Sequence, residues 1–240
     1  MIGNDTWKLV GGNNGTSFKL LLRSFLFLRT PDQLRMVHFR SMTYAAKTFD
    51  LPALTGLSEK QLKVHLGLYE GYVKNVNLIM ETLKGYAAYG DKASEGDKLA
   101  IAELRRRFAF EFDGMRMHEY YFSQFEGGST SLTTSAALGA AVVEKYGEKG
   151  LEAHIREVAG TRGIGWVVVY KDTVANTIHT TFVADHEVGQ LAGCPILLAL
   201  DLWEHAYMVD YVPAEKKNYI DAFFANLNWS VVEKRFDKAI

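Results

Sequence analysis

The stretch Pro195-Ile196-Leu197-Leu198-Ala199-Leu200-Asp201-Leu202-Trp203-Glu204-His205-Ala206-Tyr207 decides how the chain is read. Ile196 to Leu200 is brief and aliphatic and follows the breaker pair Cys194-Pro195, which is the pattern of a short buried strand. A carboxylate, Asp201, comes next. An ionised carboxylate at the end of an apolar strand is expensive unless a cation or strong donors meet it. His205 lies four residues further along, so the two residues make half of a candidate metal site. The D-x-x-x-H spacing also fits an Asp that caps a turn beside a hydrogen-bonded histidine, so the remaining donors have to be sought elsewhere.

Upstream, Ser58-Glu59-Lys60-Gln61 fits a capping box, with the Ser58 hydroxyl and the Gln61 amide satisfying backbone N–H groups. Leu62, Leu66, Tyr69, Val73, Val76, Met80 and Leu83 follow at alternating steps of four and three, which predicts one long helix with a buried stripe. His65 lies beside that stripe, and Tyr72 is seven residues later on nearly the same face. Gly85 and Tyr89-Gly90-Asp91-Lys92 turn the chain into a second helix, about Asp97 to Phe125, with Leu104, Phe108, Met115, His118, Phe122 and Phe125 inward. An antiparallel hairpin of the two makes a meeting of His65 and His118 possible without requiring it.

Gly127-Gly128-Ser129-Thr130-Ser131 is the best domain boundary. Beyond it come short helical segments near Ala136 to Tyr146 and Leu151 to Val158. Three strands follow, at Trp166 to Tyr170, Thr177 to Val183 and Pro195 to Leu200, and a final helix opens at Pro213 with a break near Asn228. The expected class is α+β: an N-terminal long antiparallel helical hairpin, then a C-terminal mixed domain with a three-stranded antiparallel sheet and flanking helices. The expected division is an extension at 1–48, the hairpin at 49–126 and a metal-binding α/β domain at 127–240.

With 240 residues, 48% of them hydrophobic, and a net charge of −1, the chain can bury a large core and shows no footprint for nucleic acid or an anionic membrane. Any attraction for an anion has to be local. Cys194 is the single cysteine, so no intrachain disulfide forms, and its apolar neighbourhood predicts a buried side chain. The apolar run from Phe18 to Leu28 is short and carries Lys19 and Arg23, so it does not predict a membrane span. The acid-poor lead from Met1 to Phe49 reads either as an organellar transit peptide or as a dispensable extension ahead of Met42. The expected location is the cytoplasm, or an organelle in the first case. No G-x-G-x-x-G or P-loop occurs, which argues against a nucleotide enzyme.

The string Asp201-Leu202-Trp203-Glu204-His205-Ala206-Tyr207 resembles the D-x-W-E-H-A-Y signature of the iron and manganese superoxide dismutases, and the similarity extends from about Phe49 to Phe236. The resemblance implies a metal set of His65 (in L-S-x-x-x-L-x-x-H), His118, Asp201 and His205, holding one iron or manganese ion per subunit, with iron slightly favoured. It implies that Trp166, in Gly163-Ile164-Gly165-Trp166, and Trp203 wall the cavity. Glu204 would hydrogen-bond the other subunit's ligand histidine across a homodimer or a dimer of dimers, and Asn228-Trp229 would be structural.

Three departures from the family pattern stand out. The His65 to Tyr72 spacing is one residue shorter than usual, which predicts a helix without the family's π-bulge. Leu68-Tyr69 and Met208 replace a His and a Tyr that usually bond across subunits, so both polar partners are lost together. The Gln that usually faces the solvent at the metal is replaced by Gly114 at its helix position, leaving His186 as the candidate for that role. An Arg usual after the signature's D-Y is also missing, with Lys216 or Lys217 as substitutes. His38, His154 and His179 have no comparable support. The implied activity is disproportionation of superoxide to oxygen and hydrogen peroxide, with Tyr72 in proton supply; the alternative is a catalytically silent structural homologue of the same fold.

Overall fold

The structure, a computed structural model, describes residues 43–134 and 136–239. The apolar run at 18–28, His38 and both readings of the leader fall outside the described residues. From Tyr44 onward the chain is tied to the hairpin: Tyr44 N–H donates to Asn77 Oδ1 (2.8 Å), and Lys47 N–H donates to the Tyr69 hydroxyl (2.8 Å). Among the described residues no helix is long and apolar enough to cross a membrane.

The first helix, α1, spans Glu59–Ala87 and is α-helical throughout, without a π segment between His65 and Tyr72. Ser58 caps it by accepting from Gln61 N–H at 3.1 Å. The second half of the expected capping box does not form, because Ser58 N–H goes to Asp210 Oδ2 (2.6 Å) and the Gln61 amide is engaged elsewhere. The buried face is Gln61, His65, Tyr69, Val73, Val76 and Ile79. It is rotated from the apolar stripe read in the sequence, so that Leu62, Leu66, Met80 and Leu83 sit half-buried at its margin and His65 lies at its centre. Burial of two polar residues on this face moved the true inner stripe off the hydrophobic one.

Helix α2 spans Glu95–Ser123, opened by a capping box between Ser94 and Asp97. It starts two residues before and ends two before the expected limits, since Ser94 is the true cap and the chain turns at Gln124. Helices α3 (Ala137–Tyr146) and α4 (Gly150–Ala159) lead into strands β1 (Gly165–Asp172), β2 (Thr177–Ala184) and β3 (Ile196–Asp201). The sheet is antiparallel in the order β2-β1-β3, with Trp166 opposite Asp201. Covering of both faces explains why Trp166 to Tyr170 reads as an unbroken apolar run, all of it buried.

Gly165 has φ +138, and a side chain there would collide with the Val183 carbonyl, so only glycine can begin β1 at this point. Helices α5 (Lys216–Asn226) and α6 (Trp229–Lys238) close the fold. The break between them falls at the expected place: Asn228 caps α6 by accepting from Ser230 N–H (3.1 Å) and donates to the Glu126 carbonyl (2.7 Å). Cys194 is half-buried rather than buried, since it lies in the loop leading to β3.

The free edge of β3 is closed by side chains, with Arg235 donating to the Leu197 carbonyl (2.7 Å) and Gln124 pairing both backbone groups of Ala199. Gln124, fully buried, donates Nε2–H to the Ala199 carbonyl (2.6 Å) and accepts from Ala199 N–H (3.3 Å), as a neighbouring strand would. Gln124→Leu should therefore leave two buried backbone groups unpaired and destabilise the protein by about 2–4 kcal/mol, read as a lower urea midpoint. An unchanged midpoint would show that the edge is satisfied in another way.

Candidate metal centre

Four separate elements bring four donors together. His65 comes from the middle of α1's buried face, His118 from the buried half of α2, and Asp201 from the last position of β3; His205 sits in the 3₁₀ turn Glu204–Ala206. One donor atom from each lies within 4.8 Å of all the others. Asp201 Oδ2 is 3.0 Å from His65 Nε2, 3.3 Å from His205 Nε2 and 3.6 Å from His118 Nε2, and the last two nitrogens are 3.3 Å apart. Ligands about 2.1 Å from a shared ion and separated by 90–120° stand roughly 3.0–3.6 Å from one another. The spacing fits a single metal ion, and a set of three imidazoles and one carboxylate suits iron or manganese among others.

The backbone and neighbouring side chains set each donor's orientation. His118 Nδ1–H donates to the Gly114 carbonyl at 2.6 Å, which leaves the Nε2 lone pair facing the cluster. Asp201 Oδ1 accepts from Trp203 N–H (2.8 Å), and its backbone carbonyl accepts from the Tyr219 hydroxyl (2.7 Å). Gln61 clamps the loop that carries His205, donating Nε2–H to the His205 carbonyl (2.7 Å) and accepting from Val209 N–H (2.9 Å). Sequence reasoning treated Gln61 only as a cap and placed Tyr219 in the final helix without a role at the site. A polar residue one turn before His65 on the same face was the available signal for Gln61; nothing local marked Tyr219.

Electrostatics favours ligand forms of these groups. Burial alone raises the Asp201 pKa, but His205 and His65 outweigh it and hold the carboxyl well below the usual carboxylate range. Burial drives His65 below the ordinary imidazole value against the opposing pull of Asp201. It drives His118 further down, with His65 reinforcing the effect. Neutral His65 and His118 beside an ionised carboxylate keep their lone pairs for a cation.

A second group of side chains lines one flank. Trp166 Nε1–H can only donate, so His186 Nδ1, at 2.9 Å, must accept. The proton of neutral His186 therefore sits on Nε2 and is donated to the Tyr72 oxygen at 2.7 Å. That arrangement leaves the Tyr72 hydroxyl proton free to point toward the cluster. Gly114 makes room for this tyrosine, because a Cβ there would come within 2.7 Å of the Tyr72 ring. Trp203 stacks on His186 (5.0 Å between ring centroids) and on His205 (5.7 Å), and its Nε1–H is held by the Asp185 carbonyl.

Of the residues singled out in sequence, the structure gathers His65, His118, Asp201, His205, Tyr72, His186, Trp166 and Trp203 at one place. Glu204 stands beside them with its side chain exposed, and Leu68 and Met208 are also exposed. His154 stacks on Tyr146 and His179 lies near Asp172, both away from the cluster.

Burial pushes the His186 pKa down to about 4, with His205 and Arg107 adding to the effect and Asp201 opposing it. A lowered folded-state value means stability that is present above the unfolded value of 6.5 and is lost as pH falls through that window toward 4. The melting temperature of metal-free protein should therefore drop across pH 6.5 to 4, less steeply in His186→Gln; equal slopes would show that His186 does not couple to folding.

Comparison with known proteins gives the same assignment from another direction. The family model described as "Iron/manganese superoxide dismutases, C-terminal domain" matches residues 134–235. The chain is 34% identical over 191 residues to the "Superoxide dismutase [Fe]" of Aquifex aeolicus, covering 78% of this chain and 87% of that protein. It is 32% identical to the "Superoxide dismutase [Fe]" of Cupriavidus metallidurans (78% of this chain, 92% of that one). It is 29% identical to the "Superoxide dismutase [Mn] 2" of Haloferax volcanii (77% and 89%). With a hairpin, a three-stranded sheet and a His–Asp cluster arranged as described, the chain belongs to the iron/manganese superoxide dismutase family.

Proposed function

We propose that His65, His118, Asp201 and His205 hold the iron or manganese ion at which this enzyme disproportionates superoxide to oxygen and hydrogen peroxide. The observation that carries the assignment is the convergence of four donor atoms within 4.8 Å around a buried carboxylate. The ion, when bound, supplies the redox couple that takes an electron from one superoxide and returns it to a second. The chain's own residues do the rest. Trp166 and Trp203 wall the cluster and exclude bulk water, which strengthens every electrostatic interaction inside.

His186 and Tyr72 form the proton path. His186 Nε2–H fixes the Tyr72 oxygen as an acceptor, so the tyrosine donates its own proton inward, and His186 takes the place beside the solvent of the site that the family fills with Gln. Burial raises the Tyr72 pKa, helped by Asp201 and Glu111 and opposed by Arg107, so the hydroxyl stays protonated and available as a donor.

Glu204 supports a homodimer, or a dimer of dimers built on it. Among the described residues neither its carboxylate nor His205 Nδ1 has a hydrogen-bond partner within the chain, and a second copy would satisfy both, Glu204 of each subunit orienting His205 of the other. Exposed Val64, Leu68, Met208 and Val209 supply apolar surface on the elements next to it. Leu68 and Met208, in place of a polar pair, would make that contact without leaving a buried donor unpaired.

Iron is slightly favoured over manganese, and relatives named for each metal exist. Protein stripped of metal and reloaded separately with iron and with manganese should dismute superoxide with at least one, and His118→Ala should lower activity by more than about 100-fold. Loading at this site without activity would overturn the catalytic roles. Glu204→Ala should shift sedimentation toward monomer and weaken metal retention by about 10–100-fold. An unchanged dimer with unchanged metal content would remove Glu204 from the interface.

A further inference from the structure

Superoxide is a small anion, and a chain of net charge −1 offers it no general attraction. Lys216 and Lys217, the substitutes suggested by sequence for the missing Arg, line a recess with Glu204, Tyr207 and Arg162. Neither is among the charges that act on Tyr72 or His186. A different cation does. Arg107 on α2 lies with its guanidinium carbon 3.8 Å above the Phe110 ring, and that ring is 4.5 Å from His186, 6.1 Å from Tyr72 and 6.3 Å from Trp203.

We propose that Arg107 is the cation that guides superoxide into this site, from a position on α2 rather than after the signature motif. The proposal rests on reading the His–Asp cluster as the metal centre.

The geometry of the side chain fits that role. Arg107 Nε–H donates to Glu111 Oε1 at 2.8 Å, and Glu111 is almost wholly buried, with its other oxygen accepting from Asn75 Nδ2 at 3.2 Å. This pairing holds the guanidinium from behind. Its terminal nitrogens make no hydrogen bond within the chain among the described residues, and the side chain keeps 44% of its surface exposed. Glu111 compensates part of the charge, but the carboxylate lies on the protein side and the open N–H groups on the solvent side. An approaching anion meets the positive end first.

One aromatic ring separates the guanidinium from His186, a distance on the order of the Debye length of about 8 Å at physiological salt. The field of Arg107 consequently reaches the inner flank of the cavity, and it acts on both Tyr72 and His186. Phe110 serves as the platform, since its face holds the cation and its edge borders the rings around the cluster. Arg107 is a positioning residue for substrate approach; it touches none of the four donors.

The test compares wild type, Arg107→Gln, Arg107→Lys and Glu111→Gln, all metal-loaded and checked for metal content and melting temperature. Two quantities are read: kcat/KM against ionic strength, and azide affinity by optical titration of the metal, azide standing in for a small monovalent anion. Arg107→Gln should lower kcat/KM about 3–10-fold at low salt, with the gap closing at high salt, and weaken azide binding by a similar factor. Arg107→Lys should recover most of both. Glu111→Gln, which keeps the cation and removes its compensating charge, should move azide affinity the opposite way.

Native kcat/KM, salt slope and azide affinity in Arg107→Gln beside an active wild type would overturn the proposal alone. Loaded wild type that neither binds azide nor dismutes superoxide would overturn the metal-centre reading and the proposal with it. If Arg107→Gln loses its fold, the Lys and Glu111 variants decide: an azide affinity unmoved by Glu111→Gln would count against guidance by this pair.

Discussion

A carboxylate with no exposed surface is the constraint on which this structure turns. Asp201 ends β3 inside the protein, where an isolated charge is destabilised by several kcal/mol even after relaxation. The fold meets it from every side: a backbone N–H from Trp203 on one oxygen and three imidazoles around the other. Two of those imidazoles, His65 and His118, are themselves driven toward the neutral state by burial, so they cannot cancel the charge as cations would. A metal ion resolves the conflict, because it uses the neutral lone pairs and the charged oxygen together. Metal binding and stability of the native packing are therefore linked.

The parts that hold the donors come from places far apart in sequence. Gln61 reaches across to the loop after His205, Tyr219 reaches back to the Asp201 carbonyl, and Gln124 completes the edge of the strand that ends in Asp201. Each is a buried polar side chain whose polar atoms are paired, and such networks restrict a core to one arrangement. Gly114 plays a double part, with its carbonyl orienting His118 and its missing side chain admitting the Tyr72 ring. The shorter spacing from His65 to Tyr72 works because α1 is a regular helix that places both on one side.

Proton placement on the flank follows from a single fact of chemistry. An indole nitrogen can only donate, so Trp166 fixes the tautomer of His186, and His186 fixes the direction in which Tyr72 presents its hydroxyl. His186 can link the two because it offers one acceptor and one donor at opposite edges of the ring.

The sequence by itself determined the class of fold, the three strands, the break at Asn228 and the Asp201–His205 half of the cluster that the structure brings together. Periodicity, breakers and the D-L-W-E-H-A-Y string are local signals, and these features are written in local order. His65 and His118 lay on apolar faces, but only the resemblance paired them, because a hairpin permits many registers. Tertiary structure alone decided that the buried face of α1 runs through Gln61 and His65 instead of the apolar stripe. It also decided that the Gln61 amide holds a loop more than a hundred residues away in place of its own cap, and that Arg107 stacks beside the site. A polar side chain is buried only when distant partners satisfy it, and those partners are named by packing, which the linear order of residues does not contain.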